Sequence, residues 1–250
     1  MMIRVEYLDQ VAIVKLDRPV TNALNPELVH ELGQTLQGVG RDPHVRGLVL
    51  ASSNVKFFSI GFDIPRLFEL PREEFQAFYR DFSRVCLDLY TLPRPTIAAI
   101  TGHATAGGCI LALCCDYRFI AEGRKLVGLN EIRLGVPVPY LADCILRHLV
   151  GARLARDVMD SGEFYPPATS LQMGLVDQVL PLEQVVPAAV EKARSLGAWS
   201  QEAFALIKRN RVEGVEAQAL AHLEEQKRAF VERWYSAEAR ARLKEAIEKF

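Results

Sequence analysis

The sequence predicts a layered α/β core followed by a mostly helical second half, and three observations carry that prediction. Short apolar runs bounded by turn residues alternate with amphipathic segments at βα spacing through the first part of the chain. From Tyr140 onward the apolar periodicity is almost wholly helical. Half of the 250 residues are hydrophobic, which is enough for one substantial core.

The elements follow in order. Residues 2–7 and 10–16 alternate as strands around a tight Asp-Gln turn. "NPELVHELGQTLQGV" is a helix: Asn25 can cap it, Pro26 suits the first helical position, and Leu28, Leu32, Leu36 and Val39 share one face. "VRGLVLAS" is a continuous apolar run and predicts a buried strand. "KFFSIGFD" predicts a strand ending in a glycine turn, and "REEFQAFYRDFSRVCLDLYTL" a helix with an aromatic face. Pro95 introduces a strand in "RPTIAAITG"; "AGGCILALC" is a helix and "DYRFIAE" the strand after it. In the second half, helices are expected over 140–150, 152–160, 168–173, 183–196, 200–213, 216–235 and 237–248, with a strand in "LVDQVL". Leu220, Leu223, Phe230, Val231 and Trp234 make one apolar side, which either packs on the chain's own core or forms a subunit interface.

Composition excludes several function classes. The formal net charge is −1 with well-mixed signs, so there is no basic stripe for nucleic acid. The cysteines are Cys86, Cys109, Cys114, Cys115 and Cys144; none forms a C-x-x-C pair and most sit in apolar runs, as expected of buried thiols in a reducing compartment. No two histidines have H-x-x-x-H spacing, so no metal site is expected. The N-terminal "MMIRVEYLDQVAIVKLD" lacks the apolar core of a signal peptide, and no apolar stretch is long enough to span a bilayer. A soluble, cytoplasmic protein without membrane contact is the expectation.

Three places could carry chemistry. Gly107 and Gly108 open an apolar helix, where bare backbone N–H groups could stabilise an oxyanion, or where the helix simply packs closely on a strand. Gly61 implies a sharp turn that could expose the N–H of Phe62 as a second donor. Glu131 lies among apolar neighbours in "VGLNEIRLGVPVP". Burial there would raise its pKa toward that of a general base, whereas a salt bridge to Arg133 or Arg124 would leave it structural. His103 and Asp116 are expected to be structural residues, Asp116 as a hydrogen-bond acceptor at a strand start.

Five segments in order, "LDRPVTNALNPEL", "FFSIGFDI", "ITGHATAGGCILALCCDYRFIAE", "GLNEIRLGVPVP" and "PPATSLQMGLVDQVLP", resemble the crotonase, or enoyl-CoA hydratase/isomerase, superfamily over nearly the whole chain. The resemblance implies a spiral of ββα units over residues 1–195, a helical oligomerisation region over 196–250, and a homotrimer or dimer of trimers. It implies an acyl-CoA thioester substrate, with CoA part of that substrate rather than a cofactor. The oxyanion donors would be the amides of Phe62 and Gly107. Ser59, Ile60, Gly61, Asp63 and Ile64, with Gly108 and Ile110, would line the substrate. Val20 stands where members often carry a lysine, so the CoA phosphates have no assigned partner.

Hydratases of the superfamily use two glutamates. Here the first position is Ile110 and the second Glu131. "GLNEIRLG" is similar to the Δ3,Δ2-enoyl-CoA isomerase subgroup of animal mitochondria. The implied reaction, as in fatty acid β-oxidation, is transfer of a C2 proton to C4 of a 3-enoyl-CoA by Glu131 alone, with Ile110 excluding water. The alternatives are enoyl-CoA hydratase or another crotonase-type reaction, and a non-catalytic member that binds acyl-CoA or RNA.

Overall fold

The computed structural model describes residues 1–248, so residues 249 and 250 of the expected C-terminal region lie outside the described residues. The chain opens with an antiparallel hairpin, β1 (Ile3–Leu8) and β2 (Val11–Leu16). Helix α1 (Pro26–Arg41) begins where predicted: the Asn25 side chain accepts from Leu28 N at 2.9 Å, and Leu28, Leu32, Leu36 and Val39 are buried. Then follow β3 (Gly47–Ser52), β4 (Phe57–Ser59), the short α2 (Ile64–Phe68), α3 (Arg72–Thr91), β5 (Thr96–Ile100), β6 (His103–Thr105), α4 (Gly107–Leu113), β7 (Tyr117–Ala121) and β8 (Val127–Gly128). A 3₁₀ turn spans Glu131–Leu134. After it come α5 (Tyr140–Val150), α6 (Ala152–Ser161), β9 (Phe164–Tyr165), α7 (Pro167–Gln172), β10 (Gln178–Leu180), α8 (Leu182–Gly197), α9 (Gln201–Ala221), α10 (Leu223–Trp234) and α11 (Ala237–Ile247).

The strands form two sheets. The larger has order β1-β2-β3-β5-β7-β10 and the smaller β4-β6-β8-β9. Successive strands alternate between the sheets: β3 then β4, β5 then β6, β7 then β8, each pair followed by helix or 3₁₀ turn. That alternation is the predicted spiral, and it explains the "FFSIG" and "ITGHATAGG" segments. In each the chain, coming from the large sheet, passes through a strand of the small one and turns toward a helix.

The inner strands of the large sheet are buried on both faces, whereas β1 at its edge is largely exposed. Leu48, Leu50, Ala98 and Ile100 face the main core, while Val49, Ala51, Ile97 and Ala99 face a second cluster closed by Val185, Ala189, Val190 and Ala193 of α8. Successive residues of a strand point to opposite faces, so a sheet covered on both sides needs apolar residues at every position, as "GLVLAS" and "TIAAI" supply.

The C-terminal helices differ from expectation in one boundary. Residues 200–213 and 216–235 were expected to be separate helices with a break at Gly214; α9 instead continues through Gly214 to Ala221, and the break falls at His222. Val212, Val215 and Ala219 are buried on both sides of the glycine, and their packing outweighs its helix penalty of about 1 kcal/mol. The apolar side predicted for this region divides: Phe230, Val231 and Trp234 are buried in the main core, whereas Leu220 and Leu223 are exposed. Trp234 stacks on Phe75 of α3 with ring centroids 4.4 Å apart. Asp116 acts as the strand-start acceptor, receiving the Thr96 amide at 2.9 Å; buried Lys208 and Arg211 of α9 also pair with it, tying that helix to the sheet. Among the described residues no helix is long and apolar enough to cross a membrane.

Candidate active site

The two glycine turns meet. Gly61 sits at φ +91°, and a Cβ there would lie 2.7 Å from the Gly107 amide nitrogen, so only glycine fits. Leu24 N donates to Gly61 O at 2.7 Å and Leu24 O accepts from Asp63 N at 2.9 Å, which turns the intervening Phe62 N–H away from Leu24. The Phe62 ring packs edge-on against Phe78 and Phe82, each centroid 4.9 Å away. On the other turn, Ala106 has φ +49° and ψ −124°, a conformation costing a non-glycine residue about 1–3 kcal/mol. It is clamped at both ends, its N–H donating to Gly128 O at 2.9 Å and its carbonyl accepting from Ile110 N at 3.0 Å. Among the described residues neither the Phe62 nor the Gly107 amide has a protein acceptor.

Gly108 answers to the packing reading: a Cβ there would lie 2.1 Å from Ser59 O. The Ser59 side chain is fully buried, donating to Asn22 O at 2.8 Å and accepting from Gly61 N at 3.1 Å. Asp63 caps α2 through Arg66 N and pairs with Arg18. Of the residues expected at the substrate, Ile60, Phe62, Ile64, Gly107, Ile110 and Glu131 therefore gather around one cavity of about 390 Å³, while Ser59, Gly61, Asp63 and Gly108 shape the turns behind it.

Glu131 begins the 3₁₀ turn that leaves β8, and Gly135 in the left-handed region closes that turn. The carboxylate is 6% exposed, and its Oε2 has no hydrogen-bond partner. Arg133 is turned away and pairs with Glu163, so the salt-bridge reading of Glu131 does not hold for that arginine. Burial pushes the Glu131 carboxyl up to about 7, against the smaller opposing pull of the Glu131 and Asn130 amides. Among the described residues Glu131 is the sole acid on the cavity wall. Ile110, 2% exposed, supplies an apolar side chain on the same wall. Cys109 next to it is pushed up to about 12 by burial and by Glu131, and stays a neutral thiol. A carboxyl pushed up toward neutrality by burial, lining the same cavity as two residues with unpartnered amides, can move a proton next to a carbonyl whose oxygen becomes anionic.

The match to the enoyl-CoA hydratase/isomerase family covers residues 6–250. The chain belongs to that family. Within it, the chain is 35% identical over 181 residues to human mitochondrial enoyl-CoA delta isomerase 1, an alignment covering 72% of this chain and 60% of that relative, so it spans less than two thirds of the relative's length. It is 30% identical over 212 residues to a crotonyl-CoA hydratase of Syntrophomonas wolfei subsp. wolfei, covering 84% and 81% of the two chains. Its fold superposes on human mitochondrial delta3-delta2-enoyl-CoA isomerase with a TM-score of 0.96 at 29% identity, covering 100% of this chain and 98% of that one. These matches establish the crotonase fold with its helical C-terminal region.

Sequence patterning did not reveal the rest of the wall. Phe230 and Trp234 of α10 close the cavity, their aromatic periodicity signalling burial but not what they cover. Phe164 comes from a strand of two residues, too short to show a period. Ala106 carries no signal at all, since nothing about an alanine announces a positive φ.

Proposed function

We propose that this family member is a Δ3,Δ2-enoyl-CoA isomerase in which Glu131 alone shuttles the proton. The observation that carries the reading is the single buried carboxyl, held near neutral pKa with a free Oε2, in a cavity whose other wall residue at the critical position is Ile110. Glu131 removes a C2 proton from a 3-enoyl-CoA. The Phe62 and Gly107 amides receive the charge that moves onto the thioester oxygen. The protonated Glu131 returns the proton to C4, leaving the conjugated 2-trans-enoyl-CoA, with no atom gained or lost. Hydration would need a held water and a second proton carrier. Among the described residues the wall carries no acid besides Glu131 to serve as that second carrier.

Similarity to a hydratase supports the second reading, hydration of a 2-enoyl-CoA by Glu131 with a water held on backbone groups. Parallel assays separate the two. A 3-enoyl-CoA is followed for appearance of the conjugated thioester, and a 2-trans-enoyl-CoA for its loss to the 3-hydroxyacyl product. The isomerase reading expects fast conversion in the first and negligible conversion in the second; fast hydration would replace it with the second reading. The C-terminal helices, with Leu220 and Leu223 exposed, are proposed to join subunits of a trimer or dimer of trimers.

A further inference from the structure

The proton shuttle uses one cavity, and a second space adjoins it. Ile110 and Pro139 wall both the Glu131 cavity and a smaller one lined by α3, α5 and the junction of α9 with α10. Helices α3 and α10 pack there in matching steps. Phe75 stacks on Trp234 with centroids 4.4 Å apart, and Tyr79 on Phe230 at 4.2 Å. At the next turn the aromatic pairs stop: Ser83 of α3 and Lys227 of α10 stand in their place, with Leu87 and Leu223 beyond. A polar step thus interrupts an apolar seam, and the small cavity lies at that step. Its volume of about 40 Å³ suits an end group of a few atoms rather than a length of chain.

The step is unbalanced in charge and in donors. Among the described residues Lys227 is the one cation on the small cavity, and no Asp or Glu lines it. The Lys227 side chain is 11% exposed, whereas that of Glu224, its ion-pair partner, is 72% exposed, so the lysine is sunk while its counter-ion stays in solvent. An ammonium carries three donors, and Glu224 engages one of them. Tyr79 is buried, and among the described residues its hydroxyl has no hydrogen-bond partner. Burial pushes that phenol above the ordinary tyrosine range, so it stays an O–H donor. A buried donor without an acceptor costs free energy, and an anion that accepts from a cation and a hydroxyl together offsets that cost.

We propose that Lys227 and Tyr79 form a subsite for a carboxylate at the far end of the acyl chain, so that the protein takes ω-carboxyl enoyl-CoA thioesters whose chain runs from Glu131 past Ile110 to Lys227. The proposal rests on the acyl-CoA reading above and adds a substrate class to it. Ile110 then has a second part, as the apolar side chain that the acyl chain passes on its way from one space to the other.

The test measures binding by calorimetry with saturated thioesters, which cannot isomerise, in pairs of equal length: adipyl- with hexanoyl-CoA, suberyl- with octanoyl-CoA, and sebacyl- with decanoyl-CoA. In the length that reaches the small cavity, the dicarboxylyl thioester should bind about tenfold more tightly than its partner, the gain of one charge-assisted contact. Lys227→Met keeps the apolar stem and removes the charge; it should abolish that preference and leave the monocarboxylyl affinities unchanged. Tyr79→Phe keeps the ring on Phe230 and should reduce the preference about threefold. Retained octanoyl-CoA binding shows that a variant is folded. No preference for the dicarboxylyl partner at any length, or a preference that survives Lys227→Met, overturns the subsite. Isomerisation of an unsubstituted 3-enoyl-CoA, followed on the same samples, reports the isomerase reading separately, so that either can fail while the other stands.

Discussion

Glu131→Gln separates what the residue does for the reaction from what it costs the fold. The native carboxyl is buried with Oε2 unpartnered, and burial raises it from 4.5 to about 7. A folded-state value above the unfolded one means that the folded protein binds the extra proton, so stability falls as pH rises from the unfolded value through the folded one. Each pH unit of that interval carries about 1.4 kcal/mol, which makes the ionised Glu131 a burden of about 3 kcal/mol on the fold above neutrality. The glutamine keeps the shape and removes the ionisation. Denaturant unfolding of both proteins at about pH 5 and about pH 8 should therefore show the variant gaining about 2–3 kcal/mol over the native protein as pH rises, while its isomerase activity falls by several orders of magnitude and acyl-CoA affinity stays close to native. A stability difference that does not change with pH would mean that Glu131 is not held near neutral pKa, and the reasoning about its burial would fail. Retained activity would remove it as the base.

Three further outcomes follow from the geometry. Gly61→Ala forces a Cβ to within 2.7 Å of the Gly107 amide at a positive φ, so kcat should fall about 10²–10³-fold, the loss of one oxyanion donor, when measured by steady-state isomerisation. Ile110→Glu places a second carboxylate on the Glu131 wall, and should lower isomerisation while bringing hydration of a 2-trans-enoyl-CoA above the native background in the paired assay. Lys208→Ala leaves buried Asp116 with only Arg211 and the Thr96 groups, and should destabilise the protein by about 3 kcal/mol in denaturant unfolding without altering the KM for substrate.

Much of the fold was legible because local rules and tertiary packing agree. Asn25 and Pro26 announce the start of α1, and Tyr140–Val150 is a helix over the span its periodicity predicts. The runs "GLVLAS" and "TIAAI" say that their sheet is covered on both faces. Where the levels disagree, packing prevails: Gly214 reads as a helix end, yet buried neighbours carry α9 through it. The strands β6, β8 and β9, two or three residues each, are too short to show a period, so the small sheet that braces the glycine turns was not visible. The short α2 had a signal that could have been used, Asp63 before Ile64 and Pro65, a capping residue ahead of an early-helix proline. At the candidate site, residue type and setting named Glu131, Gly61 and Gly107 as candidates but left structural readings of each open, and only the family resemblance pointed to their roles. The strained Ala106 and the arrival of Phe230 and Trp234 from α10 depend on how distant segments meet, which residue spacing does not encode.

The central claim is that one carboxyl both takes and returns the proton. A single-turnover reaction of 3-enoyl-CoA deuterated at C2, run in ordinary water, tests it directly. The account predicts that the 2-trans product carries deuterium at C4, because the apolar cavity keeps the label on Glu131 between the two transfers. Product with no deuterium at C4, its new hydrogen drawn wholly from solvent, would contradict it: either solvent reaches Glu131 between the two transfers or another group delivers the proton.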